Sequence, residues 1–260
     1  MSTLSNPIID LINNRTSTRV FTNEEITCDE KDAIINAAFR APTACNLMSY
    51  SIIAIDDQAI KDRLVVTCDN QPMIAKAPFV LLFVADFQRW TDLFAASNVE
   101  ALGLKSREPG ENEILQGVWD ALIAAQNAVI AAESLGIGSC YVGDIMENGE
   151  EHAEVFKLPR YTIPIVMVIF GKSPKPLKPK DRQTDFVLHK NTYHRLSEDE
   201  LQHVSRLLAD TFSPHGFKEG IDNYPQSIYA KIYSSDFMKE MRRSTRWWVK
   251  RWMTGEEVSG

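Results

Sequence analysis

Cysteine is scarce: Cys28, Cys45, Cys68 and Cys140 are scattered through 260 residues, with no C-x-x-C pair and no histidine at zinc-ligand spacing. That leaves neither a zinc site nor a disulfide framework to expect, and it points to a reduced, cytoplasmic setting. Long apolar runs are also missing. The longest, PFVLLFVADF, is half a membrane span and reads as a buried strand. The first residues, MSTLSNPIID, lack the basic-then-apolar order of a secretory signal. Positive charge is in deficit, 28 Lys and Arg against 35 Asp and Glu for a net −7, so nucleic-acid and membrane partners are disfavoured. Any anion site must be local. Five histidines without spacing logic, and no evident serine triad or carboxylate pair, leave no protein-borne catalytic group to single out.

What is present is a 44% hydrophobic chain, enough for a sizeable core in one large domain or two small ones. Asn6-Pro7 starts a helix with Ile8, Leu11 and Ile12 on one face, ending near Asn13-Asn14. Thr27-x-x-Glu30 is a capping box for a second helix with a buried stripe of Ile34, Ile35, Ala38 and Phe39, stopped by Pro42. Strands are expected at 50–56, 79–86 and 163–171, with a short strand and turn at 138–144. Short helices are expected at 58–66 and 150–157, and a long one, apolar nearly all round and hence buried, at 117–135. Residues 88–113 read as an irregular excursion or lid, and KSPKPLKPKDR (172–182) as an extended connector. Beyond Ser197 the chain is polar and helical. The alternation without βαβ regularity predicts an α+β sandwich.

Four stretches invite a ligand. In NNRTSTRVF (13–21) an extended backbone puts Arg15, Ser17, Arg19 and Phe21 on one side, the arginines roughly 13 Å apart. That spacing suits the two ends of an elongated phosphorylated ligand, since arginine forks onto phosphate; equally, it is a helix end with arginines in water. APTACNLMSY (41–50) has small residues that admit backbone close to a ligand, or is a plain connecting loop. Cys45 has no local base and is not read as a nucleophile. LGIGSCYVGD lacks both G-x-G-x-x-G and a Walker pattern, so its glycines cap a helix and turn a strand; Tyr141 and Gly143 matter only in combination. Lys178 and Lys180 face one way on a stiff segment or belong to a solvated linker. Near the end, Arg242, Arg243, Arg246, Lys250 and Arg251 interleave with Trp247, Trp248 and Trp252, a pattern of a docking helix with its charges in water.

Taken in order, RTSTRVF, RAPTACNLMSYSIIAI, Gln71, AAQNAVIAAESLGIGSCYVGD, FGKSPKPLKPK and HKNTY resemble the nitroreductase family of FMN-dependent oxidoreductases, in particular its NADPH-nitroreductase A and flavin reductase P branch. The resemblance covers about residues 6–196, with a weaker match near STRWW. It implies a mixed central β-sheet flanked by helices in a three-layer sandwich, and an intertwined homodimer with two FMN sites at its interface. Residues 1–196 would form the FMN-binding domain and 197–260 a helical extension packing on the partner. By the family pattern Arg15, Thr16 and Ser17 hold the phosphate and ribityl chain, with Arg19 nearer the ring and Lys178 and Lys180 adding charge. Thr43, Ala44 and Cys45 approach from the partner, Gln71 reaches the ribityl or pyrimidine side, and the backbone of Tyr141, Val142 and Gly143 the reactive edge. Arg19, Cys45, Asn46 and Arg246 meet the substrate. Thr16, Met48 and Asp144 depart from the branch pattern, and 211–230 lacks its arginine-rich loop, which leaves NADPH against NADH open. The implied activity is ping-pong reduction of nitroaromatics, quinones or flavins by NAD(P)H, with the hydride chemistry on the flavin. Two alternatives are a non-enzymatic flavin or nucleotide binder, and an interaction protein that uses its Trp/Arg tail.

Overall fold

Caps place the helix starts. In the computed structural model, which describes residues 4–179, 182, 184 and 186–255, Asn6 accepts the amides of Ile8 and Ile9 and opens α1 (Pro7–Asn14). The Thr27–Glu30 box closes reciprocally at the head of α2 (Cys28–Phe39). There follow β1 (Tyr50–Ala54), α3 (Gln58–Thr67), α4 (Met73–Lys76), β2 (Phe79–Asp86), α5 (Gln88–Ala96), α6 (Glu111–Ser134), β3 (Gly138–Val142), α7 (Gly149–Val155) and β4 (Thr162–Gly171). The chain ends with α8 (Glu198–Phe212), α9 (Tyr224–Ile228) and α10 (Asp236–Thr254). Two compact units are formed: Met1–Lys178 with Met241–Gly260, and Pro179–Glu240.

The first unit is built on a four-stranded sheet in the order β1-β2-β4-β3. Its strands pair antiparallel throughout, and a parallel pairing enters at the isolated bridge between Ser17 and Ser139. Every residue of β2 and β4 is buried, as a strand covered on both faces requires. The expected α+β architecture is therefore present. Helix α6 crosses the sheet with Gly117 against β2: a Cβ there would sit 2.8 Å from Ala85 Cβ and 3.1 Å from Ser49 O. The last helix closes the unit with Trp248 and Trp252 fully buried, Trp252 edge-on to Tyr161. In the second unit, α8 starts at a Ser197–Glu200 capping box, and Phe212 stacks on Tyr224.

Four expectations need correction. The stretch 88–113 is irregular only in part: residues 103–110 have no helix or strand, but α5 forms at its start, where Asp86 at the end of β2 accepts the Arg89 amide at 3.3 Å. A helix-starting acceptor that itself belongs to a strand is easily passed over. Helix α6 begins six residues before Gly117, because the Glu113 carboxylate reaches back to the Gly110 amide at 2.7 Å; Gly117 is an interior contact rather than a start. Burial of α6 is also one-sided, with Leu115, Trp119, Leu122 and Ile123 exposed. Phe39 of the expected α2 stripe is exposed in the same way. Helix α6 is long and apolar enough to cross a membrane by length and composition alone, yet Ala121, Ala124, Ala125, Ala128 and Ala132 lie wholly inside the protein core.

Candidate functional site

Residues 15–19 leave α1 extended and lie along β3, where Thr18 N–H donates to Ser139 O at 2.8 Å. Gly138 makes the approach possible, since a Cβ there would fall 2.2 Å from Thr18 Oγ1. Thr18 is buried, so the two-residue period of an extended chain turns Arg15, Ser17 and Arg19 the other way. Arg15 is half-buried and donates to Thr16 O at 3.3 Å; Arg19 is exposed. Their charges reach the neighbouring strand. Burial raises the Cys140 thiol pKa, and Arg19, Ser17 and Arg15 oppose the rise. Burial pushes the Tyr141 phenol up to about 12 against the pull of Arg15, and its hydroxyl donates to Gln126 Oε1 at 3.0 Å.

Behind this face Glu133 Oε1 and Ser139 Oγ, the latter on β3 itself, are buried near each other with no partner at ordinary hydrogen-bond geometry. Burial raises the Glu133 pKa, while Arg15 and the Ser139 hydroxyl work to lower it. Past β3, a Cβ on Gly143 would meet nothing within 4 Å, so the backbone is open to a ligand there. Val142 is buried and pairs with Met167 in the sheet. Gln71 sits after a turn made by Asp69 and Asn70 at φ 55° and 54°, and donates to Cys68 O at 3.0 Å. Burial, then the carboxylates of Asp144 and Glu147, raises the Cys68 pKa, which sets this turn beside the one after β3. The donor set of two guanidinium groups and the Ser17 hydroxyl, beside the open backbone at Gly143, fits the phosphate end of an FMN.

The other candidate stretch is a clamped loop. Thr43 Oγ1 accepts the Met48 amide at 3.2 Å, and Leu47 O accepts from Trp90 Nε1 at 2.8 Å. Arg89 donates to Met48 O. From α6, Asp120 accepts the Ser49 amide at 3.0 Å and Gln116 donates to Ser49 Oγ at 2.9 Å. Ala44, Cys45 and Asn46 are exposed at the crest.

These two groups are not brought together within one chain. Their anchors on α6, Asp120 and Glu133, are separated by about 20 Å at roughly 1.5 Å per residue. Lys178 is exposed at the end of the first unit, and Lys180 lies outside the described residues. Arg246 is on the exposed face of α10, opposite the buried Trp247, Trp248 and Trp252. Sequence reasoning passed over Asp120, Arg89, Trp90, Glu133 and Ser139. Asp120 carried a usable signal: an acid at a core position of an apolar helix needs a partner.

A sheet of this order, covered on both faces by helices, with an arginine-bearing strand laid on β3, defines an α+β protein of a known class. The chain belongs to the nitroreductase family, whose model matches residues 12–172. It is similar to the "Oxygen-insensitive NADPH nitroreductase" of Salmonella typhimurium, 34% identical over 224 residues that cover 85% of this chain and 89% of that one. It is also similar to the "FMN reductase (NADPH)" of Bacillus subtilis, 30% identical over 253 residues that cover 90% and 97%. Among solved structures, B. megaterium NfrA2 matches with a TM-score of 0.79 at 28% identity, covering 93% of this chain and 97% of that chain.

Proposed function

We propose that this protein is an FMN-dependent oxidoreductase that uses NADPH or NADH to reduce nitroaromatics, quinones or flavins. The observation that carries the reading is the docking of residues 15–19 on β3, which points Arg15, Ser17 and Arg19 away from the core beside the open backbone at Gly143. Arg15, Thr16 and Ser17 hold the phosphate and ribityl chain through charge-assisted bonds. Gln71 and the backbone of Tyr141, Val142 and Gly143 meet the rest of the cofactor, and Lys178 and Lys180 add charge. Bound FMN supplies the hydride chemistry, so no protein acid or nucleophile is required. Arg19 and Arg246 orient an anionic or nitro-bearing acceptor, with Cys45 and Asn46 beside it.

The functional unit is a homodimer. Two features support it: the wide spacing of the two residue groups along α6, and the exposed Leu115, Trp119, Leu122 and Ile123 beside Ile8, Ile9 and Ile12 of α1. Large exposed apolar faces mark protein contacts. In such a pair, Thr43, Ala44 and Cys45 of one copy complete the pocket of the other. Four free cysteines, two of them exposed, fit work in the reducing cytoplasm.

Purified protein should carry a flavin absorption band, release FMN on denaturation and oxidise NADPH or NADH when given a quinone. A colourless protein that takes up no added FMN overturns the proposal. Flavin binding without turnover would leave a binder rather than an enzyme.

A further inference from the structure

Three non-glycine residues of the loop after α2 sit at left-handed φ: Cys45 at 50°, Asn46 at 56° and Met48 at 49°. Such conformations cost on the order of 1–2 kcal/mol each, so the shape needs support from outside the segment. Its own bonds are short-range turns: Asn46 N–H to Thr43 O at 3.2 Å and Leu47 N–H to Ala44 O at 3.0 Å. Trp90 and Arg89 hold two carbonyls, both on the exit side at Leu47 and Met48.

Asp120 does something different. Its carboxylate accepts the Ser49 amide at 3.0 Å and lies near enough to the Ala44 amide to be influenced by it. Those two amides bracket all three left-handed residues. The carboxylate is buried, 4% exposed, on an alanine-rich face of α6 where another alanine would pack without desolvation cost. Burial raises its pKa although both amides work to lower it. Gln116, one turn earlier, adds a bond to the Ser49 hydroxyl.

We infer that Asp120 is the positioning residue of the ligand-facing loop: by gripping the Ser49 amide from the buried face of α6 it holds Cys45 and Asn46 in one pose toward flavin and acceptor. The inference rests on the assignment of residues 43–46 to the ligand pocket, and the test separates the two.

In full-length protein, Asp120→Ala and Asp120→Asn are compared with wild type by amide hydrogen exchange over residues 44–49. FMN affinity is measured by fluorescence titration, and KM and kcat with a quinone acceptor. Asn keeps an acceptor oxygen but not the charge, and so holds the Ser49 amide more weakly. Charge-assisted bonds of this kind imply exchange faster by roughly 10- to 100-fold in Asp120→Ala, with Asp120→Asn between it and wild type. FMN affinity should fall and acceptor KM rise in the same order, with kcat changed less. Unchanged exchange overturns the grip itself. Faster exchange with wild-type FMN affinity and acceptor KM overturns the placement of this loop in the pocket, and the positioning role with it. If Asp120→Ala does not fold, Asp120→Asn alone carries both readouts.

Discussion

The substitution Gly138→Ala tests the contact on which the anion cradle is built. The new methyl would sit 2.2 Å from Thr18 Oγ1, 2.7 Å from Thr18 Cβ and 3.1 Å from Thr18 Cγ2. Non-bonded carbon atoms prefer about 3.5–4.0 Å, so the strand must retreat by roughly 1 Å. A retreat of that size breaks the 2.8 Å bond from Thr18 N–H to Ser139 O and the bridge beside it. Overpacking costs about 1–3 kcal/mol, and the lost hydrogen bond about 0.5–1.5 kcal/mol. Residues 15–19 lie at the edge of the sheet, so local release of the strand caps the loss of global stability. The larger consequence is for the ligand: Arg15, Ser17 and Arg19 leave their places, and losing even one charge-assisted bond of about 1.5–3 kcal/mol weakens FMN by roughly 10- to 150-fold. Fluorescence titration of the apoprotein with FMN reads this directly. Thr18→Gly in the same molecule removes all three clashing atoms and should recover much of the affinity. Wild-type affinity in Gly138→Ala, or no recovery in the double variant, would refute the reasoning.

Arg15→Ala should weaken FMN by an order of magnitude or more, since charge-assisted bonds contribute about 1.5–3 kcal/mol each; an unchanged titration rules out its phosphate role. Gly117→Ala should destabilise by about 1–2 kcal/mol in urea, because overpacking against Ala85 outweighs a helix-propensity gain of about 1 kcal/mol. A more stable variant would show that α6 can shift off the sheet freely. Ser244→Ala strands the Gly149 amide and the Met146 carbonyl, held at 2.9 and 2.5 Å, and should cost about 2–3 kcal/mol; a loss below 1 kcal/mol would mean that water replaces the hydroxyl. His152 is buried, its Nδ1–H donating to Ile145 O and its Nε2 facing Thr67 Oγ1, both at 2.8 Å. Burial lowers its pKa below the ordinary 6.5, so below that value the unfolded chain binds more protons and stability falls as pH falls. Urea midpoints from about pH 7.5 down to about pH 5.5 should show this decline, and it should flatten in His152→Gln.

Local chemistry was readable wherever a signal and its partner lie close in the chain. The Thr27–Glu30 box spans three residues, and β2 announces itself as a continuous apolar run between Pro78 and Asp86. The extended register of residues 15–19 was likewise legible, because alternation alone sorts Arg15, Ser17 and Arg19 from Thr18. What escaped was non-local. Asp120 meets Ser49 across 71 residues and Trp90 meets Leu47 across 43, so neither side of the clamp implies the other. Glycines misled for a related reason: Gly117 looks like a helix breaker in isolation and proves to be where α6 touches β2. Burial was overestimated for α6 and for Phe39 of α2 because an apolar face does not say whether its cover comes from the same molecule or another copy.

Helix α6 is a single rod that carries the acceptor-loop anchor near its beginning and the acid beneath the phosphate strand near its end. In the proposed twofold pair those two ends serve different pockets. A lesion that bends the rod midway, such as proline in place of Ala125, would therefore spoil both active centres even when the second subunit is intact. Mixed dimers of one bent and one sound copy should lose far more than half their activity, so a cell making both versions would suffer a dominant defect.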